Sequence, residues 1–233
     1  RLEVEQSEYE GESHNVIAEL SGKRKEWIVL SAHYDSTSLS HGAYDNMSGC
    51  VGLLGIMEKM RDKERNFGLR FLFCGSEECG LLGSKAYVQD HEKGLEQMVF
   101  NINLDMIGSY MGQFIACVSA EEKLEHYIAY MAAEMGFPIA ARSGVYSSDS
   151  TPFADKGIPA VSFARIAHTI IVPIHSRYDL KDVLSMKQLQ KDINFLSNFT
   201  ERLAKAAVCP VARQIPDNIK TELDEYLFRK RKK

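Results

Sequence analysis

Nothing in the chain approaches the run of about 18 consecutive apolar residues that a membrane-spanning helix needs, so no membrane span is expected. The N-terminus also lacks the short apolar stretch of a secretory signal. The chain opens on Arg1 rather than Met, which leaves room for a removed signal, pro-segment or further domain. There is no excess of basic charge: the formal net charge is −4, and nothing points to nucleic-acid binding. Cysteine is sparse, and the five present (Cys50, Cys74, Cys79, Cys117 and Cys209) are odd in number and scattered. That argues against a disulfide framework and for buried free thiols, with a single Cys74–Cys79 bridge as the alternative. The compartment stays open between secreted and cytoplasmic. Repeats and low-complexity linkers are missing. What remains is an ordinary globular composition, 45% hydrophobic and 26% charged, over 233 residues. That length suits a single domain, 1–233, with a peripheral strand at 1–13 and a solvated basic tail at 228–233.

Patterning then divides the chain. His14 to Leu20 and Glu26 to Ala32 read as strands around a Ser21-Gly22-Lys23 turn. The run Trp27-Ile28-Val29-Leu30 is continuous, as in a strand buried on both faces. A helix is expected from Met47 to Lys63, with Val51, Leu54, Met57 and Met60 at helical spacing. Strands follow at Leu69–Cys74, Met98–Leu104 and Gln113–Val118, with a short helix near Leu81–Gln89. Glu121 to Met135 is helical, carrying Leu124, Ile128, Met131 and Met135 on one stripe. Asp149 can cap a short helix that has Pro152 in its first turn and stops at Gly157. Ile158–Phe163 and Ile170–Ile174 are further strand candidates. A long closing helix over 185–207 turns Met186, Leu189, Ile193, Leu196, Phe199 and Leu203 to the core. Strands alternating with helices predict a largely parallel sheet covered on both faces, a three-layer α/β/α arrangement.

Five short signals carry the chemistry: His33-Tyr34-Asp35, Asp45-Asn46, Glu77-Glu78, Asp105 and His175. Each is weak alone. Their placement strengthens them, because His33, Glu77-Glu78 and Asp105 each follow a predicted strand. Loops at the carboxyl ends of parallel strands converge on one crevice. Carboxylates gathered there need a cation to offset their repulsion. Imidazole and carboxylate ligands without thiolate suit zinc in a catalytic site. The charges balance for two zinc ions per chain. Asp45, Glu78 and Asp105 supply three negative charges and a bridging hydroxide the fourth. His33 and His175 bind one ion each and Asp45 bridges both. Glu77 is then left free as general base. Asp35 can reach the imidazole nitrogen of His33 turned away from the metal and fix the ring.

With these residues in order, the chain resembles the M28 family of zinc peptidases, which includes bacterial aminopeptidases. The pattern His33-x-Asp35, Asp45-Asn46 with Ser48-Gly49, Glu77-Glu78, Asp105 and His175 carries the resemblance, from Asn15-Val16-Ile17-Ala18 to the last helix. It implies a mixed, mainly parallel central sheet of the zinc-exopeptidase or phosphorylase/hydrolase kind. It also implies two zincs bridged by Asp45, with Glu78 and Asp105 on separate ions and Glu77 as base. The implied activity is hydrolysis of the N-terminal bond of peptides with a free N-terminus, a metal-bridging water being the nucleophile. Ser148-Asp149-Ser150 departs from the common Ser-Asp-His pattern, and the residues after His175 differ as well; both bear on substrate preference. Tyr146 either hydrogen-bonds the oxyanion or packs as an ordinary aromatic. Asp179 either orients His175 or caps the turn. His41, His14, His91 and His126 read as surface residues, His168 as a satisfied structural one, and Arg165 and Arg177 as salt-bridge partners. Three rivals differ in class. An M20-like carboxypeptidase needs a lid domain, for which the 70 residues from Asp105 to His175 leave no room. A glutaminyl cyclase would hold one zinc and leaves His33 with Asp35 unexplained. A non-catalytic domain on the same fold usually loses ligands.

Overall fold

The computed structural model describes residues 1–7 and 10–229. Its seven strands are β1 (Val16–Leu20), β2 (Trp27–His33), β3 (Gly68–Cys74), β4 (Met98–Leu104), β5 (Gln113–Ser119), β6 (Ala140–Ser143) and β7 (Ala160–Ile166). They form one sheet in the order β1-β3-β2-β4-β7-β5-β6. β3, β2, β4 and β7 run parallel, as do β5 and β6, while β1 lies antiparallel on β3 and β5 antiparallel on β7. The sheet is therefore mainly parallel, as the patterning predicts, and mixed, as the family resemblance implies.

The central strands alternate between two apolar layers. Ile28 and Leu30 of β2 point into a core with Phe100 and Ile102 of β4, whereas Val29 points to the opposite face with Leu72 of β3. The first layer is closed by α1 (Ser48–Met60), α3 (Lys123–Glu134) and α5 (Met186–Lys205). The second face carries α2 (Leu82–Asp90) and α4 (Ser150–Asp155), and α6 (Asp217–Tyr226) packs on α4. Helix α5 begins with the Ser185 side chain accepting from the Gln188 amide and ends with Arg202 and Lys205 in its last turn. Both features satisfy what a helix terminus leaves open. Its inner face joins an aromatic cluster in which Phe195 stacks on Phe137 at 4.4 Å between ring centroids and meets Phe114 and Phe163 edge-on.

Several expectations need correction. The described residues of 1–13 form no strand, and Leu2 and Val4 are exposed. The segment Ile170–Ile174 is a set of turns, since β7 already runs to Ile166 and Ile170 is 86% exposed. The buried stripe of α1 is Cys50, Leu53, Ile56 and Met60, whereas Val51 and Leu54 face outward. Two apolar stripes competed, and the one with Gly49 and Gly52 won. A Cβ on Gly52 would lie 2.7 Å from Ile107 and Leu104, so only that face approaches the sheet this closely. Met186 at the start of α5 is 80% exposed, and Asp149 makes no capping hydrogen bond to α4. Strand β6 and helix α6 were not anticipated. All five cysteines are free, as expected, although Cys79 is exposed rather than buried, and the alternative Cys74–Cys79 bridge is absent. Of the expected basic tail, residues 230–233 lie outside the described residues.

The α5 interface gives a direct test. Replacing Phe195 by Ala should lower unfolding free energy in urea by about 3–5 kcal/mol. Replacing the exposed Met186 by Ala should change it by less than about 0.5 kcal/mol.

Candidate metal centre

Four strand ends deliver the candidate residues to one edge of the sheet. His33 is the last residue of β2, Glu77 and Glu78 follow β3, Asp105 directly follows β4, and His175 lies in the segment after β7. Asp45 comes from the turn Ala43–Met47 between β2 and α1, and its peptide bond to Asn46 is cis. Among the described residues, four of the five non-glycine positions with left-handed backbone lie beside these groups: Ser76, Leu81, Met106 and His175 itself. Left-handed conformation is unfavourable for side-chain-bearing residues and persists only where the surroundings enforce it. Here it turns the chain sharply at the strand ends so that successive carboxylates face inward.

Two other carboxylates hold this backbone in place. Asp35 accepts from the amides of Glu77 at 3.0 Å and Glu78 at 3.1 Å. Asp179, fully buried, accepts from the amides of Tyr44 at 2.7 Å and Asp45 at 3.0 Å. Asp179 therefore caps the turn that carries Asp45 rather than orienting His175. Asp35 lies 3.5 Å from His33 Nδ1, and the backbone carbonyl of the same residue is closer, at 3.2 Å. Asn46 ties the two loops together: its amide nitrogen donates to the Leu104 carbonyl, and its oxygen accepts from Gly49 and Met106.

The acidic and imidazole groups converge. Asp45 stands between the two histidines, with Oδ1 3.2 Å from His33 Nε2 and Oδ2 3.0 Å from His175 Nε2. His33 Nε2 is also 3.7 Å from Asp105, and His175 Nε2 is 3.1 Å from Glu78. Donor atoms of His33, Asp45 and Glu78 lie within 4.8 Å of one another, and so do those of His33, Glu77 and Asp105. Glu77, the expected base, is thus within reach of the same groups, 3.9 Å from His33 Nε2.

Electrostatics reflect the crowding. Burial, reinforced by Asp105, Asp149 and Glu78, pushes the Glu77 carboxyl up to about 8. Burial and the neighbouring Asp45 raise Glu78 as well, and burial raises Asp105. Burial alone would lower His33, but Asp105, Asp35 and Asp45 outweigh it and raise it strongly. One oxygen of Glu78 is buried without any hydrogen-bond partner. An unpaired, buried carboxylate oxygen among other carboxylates is what a cation would satisfy. The donors are imidazole and carboxylate with no thiolate, a set that fits zinc. Cys79 is exposed, and the Cys50 thiol donates to the His33 carbonyl.

These groups floor a cavity of about 320 Å³ whose walls include Leu81, Met106, Tyr146, Ile174 and Tyr226. Tyr146 thus reaches the cavity. The sequence reading missed Tyr226, which lies on the unanticipated α6, and it read Asp149 as a cap. Asp149 is instead 1% exposed, and neither of its oxygens has a hydrogen-bond partner in good geometry. Burial pushes its carboxyl up to about 6. The other candidates fall outside the cavity. Arg165 is bound to the buried Asp192, Arg177 stacks on Tyr178, and the His168 ring accepts from the Ile170 amide in a turn. His14, His41 and His126 are exposed, and His91 stacks on Tyr87.

Comparison with known proteins agrees with this geometry. Residues 15–200 match the family model of peptidase family M28. Aminopeptidase YwaD of Bacillus subtilis is 34% identical over 148 residues, which are 60% of this chain and 32% of that protein. Leucine aminopeptidase 2 of Trichophyton rubrum is 29% identical over 172 residues, 68% of this chain and 35% of that protein. Among solved structures, a zinc aminopeptidase from Bacillus subtilis superposes with a TM-score of 0.74 and 26% identity, covering 88% of this chain and 53% of that one. An aminopeptidase from Aneurinibacillus sp. strain AM-1 gives a TM-score of 0.72 at 26% identity, covering 86% and 50%. The chain therefore spans about a third of the curated relatives it matches and about half of these structures.

The Glu77 carboxyl sets a pH prediction for metal-free protein. With a folded-state value near 8 against 4.5 ordinarily, it is protonated in the folded chain where the unfolded chain has already lost its proton. Its contribution to stability is whole below about pH 4.5 and is lost as pH rises through 8. Calorimetry of chelator-treated protein should show Tm falling from pH 6 to 8.5. Glu77→Gln should recover about 2–4 °C at the upper pH, the equivalent of ~1 kcal/mol. An unchanged Tm for the variant at pH 8.5 would remove the repulsion argument.

Proposed function

The chain belongs to peptidase family M28, and on that premise we propose that it is a metallo-aminopeptidase holding two zinc ions. It removes the N-terminal residue from peptides with a free N-terminus. The observation that carries this reading is the position of Asp45 between the two imidazoles, one carboxylate oxygen toward each. A single shared carboxylate with one further acid on either side, Asp105 by His33 and Glu78 by His175, supports a pair of ions better than one. His33 and Asp105 would hold the first ion, His175 and Glu78 the second, and Asp45 both.

Zinc bound there would lower the pKa of its water toward neutrality and polarise the scissile carbonyl. The chain's own groups supply the rest. Glu77, held by its amide to Asp35, takes a proton from the attacking water and returns it to the leaving amine. The hydroxyl of Tyr146, on the cavity wall, donates to the carbonyl oxygen as charge develops on it. The acidic floor attracts the substrate's α-ammonium group. Asp35 and Asp179 act as positioning residues, since each fixes backbone that presents an acid to the site.

A single-zinc glutaminyl cyclase remains the rival, and stoichiometry separates the two. Metal analysis of the loaded protein should give close to two zinc ions per chain, where a value near one would favour the cyclase. Glu77→Gln should keep both ions and lower kcat on a leucyl anilide by about 10²–10⁴-fold, the usual contribution of a general base. Near-normal turnover in that variant would rule out Glu77 as the base.

A further inference from the structure

Helix α6 lies beyond the residues that match the family model, which end at 200. It nevertheless reaches the cavity, because Tyr226, its last residue, lines the same space as His33, Asp45 and Glu77. The helix is firmly seated. Ile219 and Leu223 are buried against Ala154 and Ala160, and Arg229 just past the helix forms a two-pronged pair with Asp155 at 2.6 and 2.8 Å. It also grips the loop on both sides of Tyr146: Glu222 accepts from the Val145 amide at 3.1 Å, and the Tyr226 hydroxyl bonds the Ser147 hydroxyl at 2.7 Å.

The walls above the acidic floor are Leu81, Met106, Ile174 and the rings of Tyr146 and Tyr226, and among the described residues no lysine or arginine lines the cavity. We propose that α6 is part of the substrate site: the Tyr226 ring, braced by Ser147, is the wall that meets the substrate's N-terminal side chain and selects uncharged apolar ones. An acidic side chain would be desolvated against apolar walls that offer no cation to receive it. A small side chain would leave the ring uncovered, and apolar pockets discriminate through such lost contact by about 10- to 200-fold per methylene. This inference rests on the aminopeptidase reading for its substrate, yet the wall itself can be tested without turnover.

Wild-type, Tyr226→Phe and Tyr226→Ala proteins, zinc-loaded, would be compared on leucyl, alanyl and glutamyl anilides. The same proteins would be titrated calorimetrically with leucine hydroxamate and glycine hydroxamate, which share a metal-binding group and differ in side chain. Wild type should prefer leucyl over glutamyl anilide at least about tenfold in kcat/KM. Tyr226→Ala should lower the leucyl-to-alanyl ratio, and the matching ratio of hydroxamate affinities, at least about fivefold, while Tyr226→Phe keeps both within about twofold. A ratio does not depend on the folded fraction, so partial unfolding of the alanine variant cannot mimic this result. Unchanged ratios in Tyr226→Ala would overturn the assignment of the wall. A wild type that binds the hydroxamates but cleaves no anilide would overturn the aminopeptidase reading instead, and the affinity ratio would still decide the wall.

Discussion

Mutual repulsion among carboxylates governs this end of the molecule. Asp45, Glu77 and Asp105 are brought within a few ångströms of the same His33 nitrogen, and Glu78 joins Asp45 beside His175, in a site where burial weakens solvent screening. Such a cluster would spread apart unless its backbone were held from behind. Asp35 and Asp179 provide that hold, each spending both carboxylate oxygens on two consecutive backbone amides. The acids that face the cavity therefore keep their places without depending on one another. What remains uncompensated, including the lone Glu78 oxygen, is the demand for positive charge.

The sheet explains why this arrangement is tolerable. β2, β3, β4 and β7 run parallel, so their carboxyl ends open on the same side, and the residues that follow them meet with few constraints on the rest of the fold. Ile28, Leu30, Phe100 and Ile102 below are wholly buried and belong to one apolar layer. The cost of crowding charge at the rim is thus offset by packing several residues away, while the rim carries the left-handed positions at Ser76, Leu81, Met106 and His175.

His33, Glu77, Glu78 and Asp105 were legible because each closes or follows within four residues an apolar run that reads as a strand, whereas Asp45 sits in the turn Ala43–Met47 and the run before His175 is not a strand. The same holds for β2, β3 and β4, whose continuous apolar runs leave little choice. Legibility failed where two local readings were equally good. In α1, Val51 and Leu54 match helical spacing as well as Cys50 and Leu53 do; the close approach of Gly49 and Gly52 to Asn46, Leu104 and Ile107 decides between them, and that is a tertiary fact. Ile170–Ile174 has the composition of a strand, yet the chain there must turn toward the site to present His175. Helix α6 buries only Ile219 and Leu223, too thin a stripe to stand out from the charged residues around it, so Tyr226 was invisible as a cavity residue.

Ser150, where the resemblance to the family leads one to expect histidine, falls on the sheet side of the site. The Ser150 hydroxyl closes a ring of three with Ser148 and Ser162, at 2.8 to 3.0 Å. From Ser162 the network continues through Asn103 to Ser31 and on to Asn101, all buried in β7, β4 and β2. Every hydroxyl in the ring has two partners there, so the hydrogen-bonding demand of these three buried serine hydroxyls is met inside the fold. Ser150 is absent from the cavity lining, whereas Tyr146 and Ser147, a few residues earlier, belong to it and are gripped by α6. Ser150 is therefore absorbed by the polar ladder beneath the site, and the side of the loop that faces the cavity is shaped by a helix outside the family's matched residues.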